Sequence, residues 1–383
     1  MIEDLPNLKF LSELYCEDAA DAYLLAEYPS SNSTETVLQN RQRFIIHDPF
    51  PPPPPELIKQ LGPHHLMCGW GDSVPVTSQV APDAQLLDHW DRQLGPGSCP
   101  QWHALDLAAE RNYITLFPLE SVPPHRQVVD PQVNYHLHSK AVIADMDCAQ
   151  ADVFSEIRFP CIVKLSHGYA GLGNYLLRDS DDQQVMQAKL NQHWPDAKCV
   201  INSVIQNVVG DYGVQFYLRR NGQIVWLGFT EQHFDENKRW CGGAYSAAAQ
   251  TLLRPDFESI VQAAGSYLHS QSYFGVVGVD ILQDNQGQCF LVDVNPRLTG
   301  VSPFLMASRQ FKNEGYDQGI YQASGRFPGT LNQLIAVAEK ISDAKVLVLS
   351  ACQQKPVTVC HLSVSSNSQE RNQQILQQVM AGP

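Results

Sequence analysis

The chain has 383 residues, more than one ordinary core accommodates, so two or three packed units are expected. Its composition, 44% hydrophobic and 17% charged, is that of a globular protein, and a net charge of −14 argues against nucleic acid or an anionic membrane as a partner. No apolar run approaches the roughly 18–20 residues of a bilayer span, and the ten cysteines include no C-x-x-C pair, so they read as reduced thiols rather than a disulfide framework or zinc site.

The opening "MIEDLPNLKFLSEL" has no basic stretch ahead of an apolar core, so it does not read as a signal peptide, and a cytoplasmic location is expected. Residues 1–47 combine a helical pattern, "LKFLSELY", with an apolar "RFIIH". "DPFPPPPPE" follows at 48–56. Its five prolines impose extended backbone and read as a rigid connector, or as a ligand for proline-binding modules. Residues 56–130 alternate short apolar segments with Pro and Gly, the pattern of a small α/β unit closed by a linker at "VPPHRQVVDPQ". Beyond 133, "NYHLHSKAVIADM" reads as the start of a helix. "FPCIVKLS", "GNYLLRD" and "KCVINSVIQNVV" read as strands, and "DDQQVMQAKLNQHW" as an amphipathic helix. "DYGVQFYLRRNGQIVWLGFTEQHF" predicts a hairpin turning at Asn221-Gly222, "FESIVQAAGSYLHS" a helix, and "FGVVGVDILQDNQGQCFLVDVNPRLTG" a second hairpin turning near Gly287. The tail carries one helix, "TLNQLIAVAEKI", then a β-like stretch and a Gln- and Asn-rich end, read as a surface helix or a frayed terminus.

Two places carry chemistry. "HGYAGLGNYLL" sets Gly168, Gly171 and Gly173 in the order G-x-x-G-x-G after a strand. This is neither the dinucleotide fingerprint, which opens a helix, nor a P-loop, which ends in Gly-Lys-Ser/Thr. It is either a plain hairpin turn or a lid whose bare backbone approaches phosphates. About 110 residues later, the predicted hairpin puts Asp280 on one strand and Asp293 and Asn295, two apart, on one side of the other. Two carboxylates and an amide oxygen suit Mg²⁺, with Mn²⁺ as an alternative, and Arg297 could steady charge on a transferred phosphoryl group. The competing reading is a strand end at which Arg297 simply pairs with Asp293.

Taken together, "SKAVIADM", "PCIVKLSHGYAGLGNYLL", "SVIQNVVGDYGVQFYL" and "GVDILQDNQGQCFLVDVNPRLTG" resemble the ATP-grasp superfamily over roughly residues 131–310. The terminal D-x-N-P-R-x-T-G is the most specific part, although the family's usual pattern has glutamate where Asp293 stands. The resemblance implies an α/β (α+β) ATP-grasp fold: a pre-ATP-grasp unit at 1–130, a small lobe with a glycine lid at 131–205, a large lobe at 206–310 and a small C-terminal extension at 311–383. It implies that Lys140 and Lys164 contact the phosphates of ATP, and that His167, Gly168, Gly171 and Gly173 form the lid. Gln206, Asn207, Val208 and Val209 would be the hinge that reads adenine, and Asp211 the ribose ligand. Asp280, Asp293 and Asn295 would hold metal, with Arg297 and Lys164 as the catalytic pair.

The implied activity is ATP-dependent carboxylate–amine (or carboxylate–thiol) ligation through an acyl phosphate. The alternatives are a small-molecule kinase on the same scaffold and a silent nucleotide-binding module. "TEQHFDENKRWCGGAYS" (230–246) is expected to offer Gln232, Arg239, Gly242 and Gly243, with Arg297, to an amino-acid substrate, or else to be a mobile surface loop. "GWGDSVPVTS" (69–78) is a second candidate, with Trp70 as core. The histidines are not spaced as metal ligands, and His167 alone is singled out. Small carboxylates and amines, amino acids among them, are the expected partners. A homodimer is the expected assembly.

Overall fold

The computed structural model describes residues 2–31, 38–47, 53–168 and 173–382. In the amino-terminal part, β1 (Ile2–Asp4) and α1 (Ser12–Asp18) precede β2 (Ala22–Leu25), α2 (Gly62–Met67), β3 (Val76–Ser78), α3 (Ala84–Leu94), β4 (Trp102–Ala104) and β5 (Asn112–Thr115). Strands β2–β5 form a parallel sheet in the order β4-β3-β2-β5. Of the five prolines, 51 and 52 lie outside the described residues. The backbone turns helical directly after them, with Leu57 N–H donating to the Pro54 carbonyl at 2.9 Å. Proline suits the first helical turn, where its missing N–H would have no partner.

The next segment holds α4 (Pro131–Leu137), started by the Asp130 side chain, and a 3₁₀ turn at Lys140–Asp145 in place of the expected continuous helix. Ser139 caps that turn, and a side-chain cap requires non-helical backbone at its own position, which is what separates the two pieces. Strands β6 (Val153–Phe154), β7 (Cys161–Leu165), β8 (Asn174–Leu177) and β9 (Cys199–Ser203) pair antiparallel in the order β6-β9-β7-β8, with α5 (Ser180–His193) packed on them. This lobe has its own core, formed by Cys161, Val163, Leu165, Leu177, Met186 and Leu190.

The rest is one large sheet. It contains β10 (Val208–Leu218), β11 (Ile224–Phe234), β12 (Trp240–Ser246), β13 (Gly275–Asp284), β14 (Cys289–Asn295), β15 (Gln318–Phe327), β16 (Lys345–Gln354) and β17 (Val357–Ser366), ordered β14-β13-β10-β11-β12-β15-β17-β16. The helices are α6 (Ala247–Ser270), α7 (Ser302–Asn313), α8 (Leu331–Glu339) and α9 (Gln369–Met380). Helix α6 begins ten residues earlier than its apolar spacing suggested and carries Pro255 inside it. The predicted turn residues sit where they should: Gly222 at φ 85° and Gly287 at φ 83° adopt the left-handed backbone that a tight hairpin needs.

The pairing shows how two of the expected segments are joined to the large sheet. In the segment from 311, β15 pairs with β12 and carries β17 and β16 as the continuing edge of the same sheet. At the other end, β1 joins the large sheet in parallel with β11. The amino-terminal unit also shares its core with that sheet. Val276 N–H donates to the Tyr15 hydroxyl at 3.0 Å, and Trp90 Nε1 donates to the Val348 carbonyl at 2.9 Å. The small lobe, with its own core, is the part packed independently. Among the described residues no helix is long and apolar enough to cross a membrane.

Candidate active site

The site grows out of a two-faced sheet. One face of β10 and β13 presents Val214, Phe216, Val277 and Val279 to the core under α6. The alternate positions carry polar groups to the opposite face: Asp211, Gly213 and Gln215 on β10, Thr230 and Gln232 on β11, Asp280 on β13, and Asp293 and Asn295 on β14. Asp280 stands opposite Asp293 on one side and Gly213 on the other. Gly213 has no side chain, so Gln232 reaches across it and its Nε2 donates to Asp280 Oδ1 at 2.9 Å. Burial, then the charges of Asp293 and Asp211, push the Asp280 carboxyl up to about 7. Burial alone lifts Asp211 to about 6.

The two lysines meet this face from the other side. Lys140 is pinned by its backbone N–H to the Ser166 carbonyl at 2.8 Å, and its ammonium pairs with Asp293 Oδ1. Lys164, on β7, donates from Nζ to the Val292 carbonyl at 2.7 Å. Burial lowers the Lys164 pKa, while Asp293 opposes that shift and Lys140 adds to it. A repelling, half-buried carboxylate pair that already draws in an ammonium is a fitting place for a cation. Among the described residues no group of three or more His, Cys, Asp or Glu side chains forms a metal site. The set is two carboxylates and one amide, which matches Mg²⁺, since it usually takes one or two protein carboxylates and fills the rest with phosphate and water.

Arg297 follows the end of β14 and is buried. Its Nη1 donates to the Leu298 carbonyl at 3.0 Å and its Nη2 to Asn295 Oδ1 at 3.1 Å, and its guanidinium lies 4.8 Å from the Phe117 ring centre. Its Nε is buried without a partner. Among the described residues Arg297 makes no ion pair, so the simple Arg297–Asp293 bridge is not what the chain builds.

Two cavities flank Lys140. The first, about 310 Å³, lies between the lobes, lined by Lys140, Gln150, Val153, Lys164, Asn202 and Val292 among others. The second, about 250 Å³, is lined by Phe117, His138, Lys140, His167, Asn295 and Arg297, with Ile46 and Gly168 among others.

Gln206, Asn207, Val208 and Val209 form the crossing between the lobes, with Asn207 at φ 52° and its carbonyl accepting from Asn285 N–H at 3.0 Å. Asp211 shares the polar face of Asp280, and neither it nor the crossing is among the residues that line the cavity around Lys140 and Lys164. His167 lines the second cavity, but its ring is stacked on Tyr135 at 4.0 Å and its Nε2 lies 3.0 Å from the Tyr135 carbonyl. It anchors the root of the glycine loop instead of reaching out from it. Gly171 lies outside the described residues. Gly173, at φ 80°, accepts from Leu165 N–H, and a Cβ there would stand 2.3 Å from the Leu165 side chain.

The segment 230–246, expected as a polar loop, is the β11–β12 hairpin. Of its expected substrate groups, Gln232 belongs to the site. Arg239 stands at the exposed hairpin tip, bound through its backbone N–H to Asp235 Oδ1 at 2.8 Å, and lines neither cavity. Gly242 and Gly243 have a packing reason: a Cβ on Gly242 would stand 1.9 Å from the Tyr321 carbonyl oxygen, and one on Gly243 2.7 Å from that of Glu231. Trp70 is fully buried core, as expected. Ile46, Phe117 and His138 were not foreseen. They come to Arg297 by docking of the amino-terminal unit and of α4, and no local motif marks them.

Comparison with known proteins bears on the same segment. Residues 140–295 match the family model described as L-aspartate–L-methionine ligase, ATP grasp. The [butirosin acyl-carrier protein]–L-glutamate ligase of Niallia circulans is 21% identical over 267 residues, 58% of this chain and 61% of that protein, so the match spans less than two thirds of the relative. Among solved structures, an ADP complex of N5-carboxyaminoimidazole ribonucleotide synthetase is similar at a TM-score of 0.53 and 12% identity, over 82% of this chain and 93% of the other. An L-amino acid ligase from Bacillus licheniformis is similar at a TM-score of 0.50 and 14% identity, over 83% and 92%.

Proposed function

We propose that this protein, which carries an ATP-grasp domain over residues 140–295, is an ATP-dependent ligase that joins a carboxylate to an amine and releases ADP and phosphate. The observation that carries the reading is the convergence of Lys140, Lys164, Asp280, Asp293, Asn295 and Arg297 on one cleft between the small lobe and the β13–β14 hairpin. In an acidic chain these three cations are concentrated where a polyphosphate would be met.

Magnesium-bound ATP, when present, supplies the phosphoryl group that turns a poor leaving oxygen into a good one. The protein's part is positioning and charge. Asp280, Asp293 and Asn295 would hold the metal. Lys140, displaced from Asp293, and Lys164, released from the Val292 carbonyl, would hold phosphate oxygens. The buried Arg297, its Nε unspent, would hold the carboxylate and the charge that gathers on its acyl phosphate. Phe117 and Ile46 close that place from the amino-terminal side and keep water from an intermediate that hydrolyses. The name of the family model supports amino acids as both substrates, and that of the curated relative supports an amino acid as one of them. Such an enzyme is expected in the cytoplasm, where ATP, Mg²⁺ and free amino acids are supplied together.

The test is phosphate release and product mass with ATP and Mg²⁺ against pairs of protein amino acids, beginning with L-aspartate and L-methionine. Release only when both a carboxylate and an amine are present is expected. A stable phosphorylated product formed without an amine would instead identify a kinase.

A further inference from the structure

His138 is the residue whose place the ligase reading leaves unused. It ends α4, two residues before Lys140, and only 7% of its surface is exposed. Its Nδ1 lies 2.8 Å from the Asn134 carbonyl oxygen, which can only accept, so Nδ1 carries the hydrogen. Burial, helped by the nearby Arg297 charge, lowers its pKa well below the usual histidine range, so the ring is neutral. Its Nε2 is then a bare lone pair, and this atom is buried without a partner.

The surroundings say what this lone pair can receive. The His138 ring packs on Phe117 at 4.7 Å, and the same Phe117 ring carries the Arg297 guanidinium. All three line the second cavity together with Lys140 and Asn295. Two residues of that lining thus keep an unspent polar atom, the donor Arg297 Nε and the acceptor His138 Nε2. Carboxylate and phosphate oxygens are acceptors: they satisfy Arg297 and Lys140 and would meet the His138 lone pair unfavourably. A group that brings N–H hydrogens is the complement.

We infer that His138 Nε2 accepts a hydrogen bond from the attacking amine and so turns the nitrogen lone pair toward the acyl carbon held at Arg297. This rests on the ligase reading above. In the step it serves, the amine nitrogen bonds to the acyl carbon. The acyl C–O bond to phosphate breaks with its electron pair on the phosphate oxygen. The amine proton leaves with that group as hydrogen phosphate, and the imidazole ends the step as it began it. His138 acts on the second half of the reaction and not on the first.

The two halves separate experimentally. In the full-length protein, carboxylate activation alone is read by scrambling of ¹⁸O between the β,γ-bridging and non-bridging positions of ATP, with L-aspartate and no second amino acid, product mass checking that its own amine has not been joined. L-Methionine is then added for the complete reaction, and the other protein amino acids are tried in each position in turn. His138→Phe keeps scrambling within about threefold of the natural protein, while kcat/KM for the amine falls about 100-fold. His138→Gln, whose amide oxygen also accepts, regains about tenfold. Thermal midpoints check folding, and His138→Met replaces Phe should that variant not fold. The inference is overturned if scrambling and ligation fall together, if ligation is unchanged, or if Gln is no better than Phe. A natural protein that neither scrambles nor ligates with any pair refutes the ligase reading itself, and this inference with it.

Discussion

The two cavities beside Lys140 are built differently. Every residue that lines the inter-lobe cavity falls within 140–295, the stretch matched by the ATP-grasp family model. The cavity at Arg297 draws on that stretch and also on Ile46, Phe117, His138 and Arg297 itself, which lie outside it. On the ligase reading, holding a nucleotide would fall to the one contiguous segment, and the choice of what is joined to the place where a second unit docks. The difference implies that variants at the two cavities should separate kinetically, nucleotide terms on one side and acceptor terms on the other.

The strongest challenge to that division is Arg297→Ala. It should lower kcat about 10³-fold and leave the Kd for ATP unchanged, measured by calorimetry with Mg²⁺ present. A parallel loss of ATP affinity would mean that the cavities are one site. Next come a matched pair. Lys164→Met should raise the KM for ATP about tenfold with the amine and carboxylate KM unchanged, and Phe117→Ala should do the converse. Steady-state kinetics with each substrate varied in turn decides it, and a variant that moves all three constants blurs the boundary.

The smallest effect sharpens the comparison from the amino-terminal side. Glu27 is buried after β2, its carboxylate accepting from the Gln79 backbone N–H at 2.6 Å, and burial pushes its pKa up to about 7. In the folded state it binds protons more readily than when unfolded, so stability falls as pH rises from the ordinary carboxyl range toward 7. Glu27→Gln should therefore stabilise the protein at pH 8, by roughly 1 kcal/mol, and do little at pH 5, read as the shift in thermal midpoint. Any change in ligation kinetics would show that this unit reaches the reaction from a second place.

What could be read in the sequence was local. Asp280, Asp293 and Asn295 were placed on one face because a hairpin's register follows from alternation and a turn, and the pairing bears out that geometry. The packing role of Gly242 and Gly243 was not legible because a glycine that admits a ligand and a glycine that admits a neighbouring strand look alike in one dimension. That the tail continues the large sheet was not legible because strand partners 40 or more residues apart, such as Tyr321 and Ser363, leave no local mark. Phe117 and His138 were missed for the same reason: they meet Arg297 by domain docking, which no spacing rule encodes.

The two carboxylates are held in unlike ways, and this sets an order of events. Asp280 is steadied by the neutral amide of Gln232, and Asp293 by the ammonium of Lys140. An amide can let go and leave no net charge behind. An ammonium that lets go in a half-buried cleft must find another anion, or its charge is stranded. On the ligase reading Lys140 would thus be a toll keeper: Asp293 would come free only when an incoming phosphate took over its counter-charge, so metal should enter with nucleotide and not ahead of it.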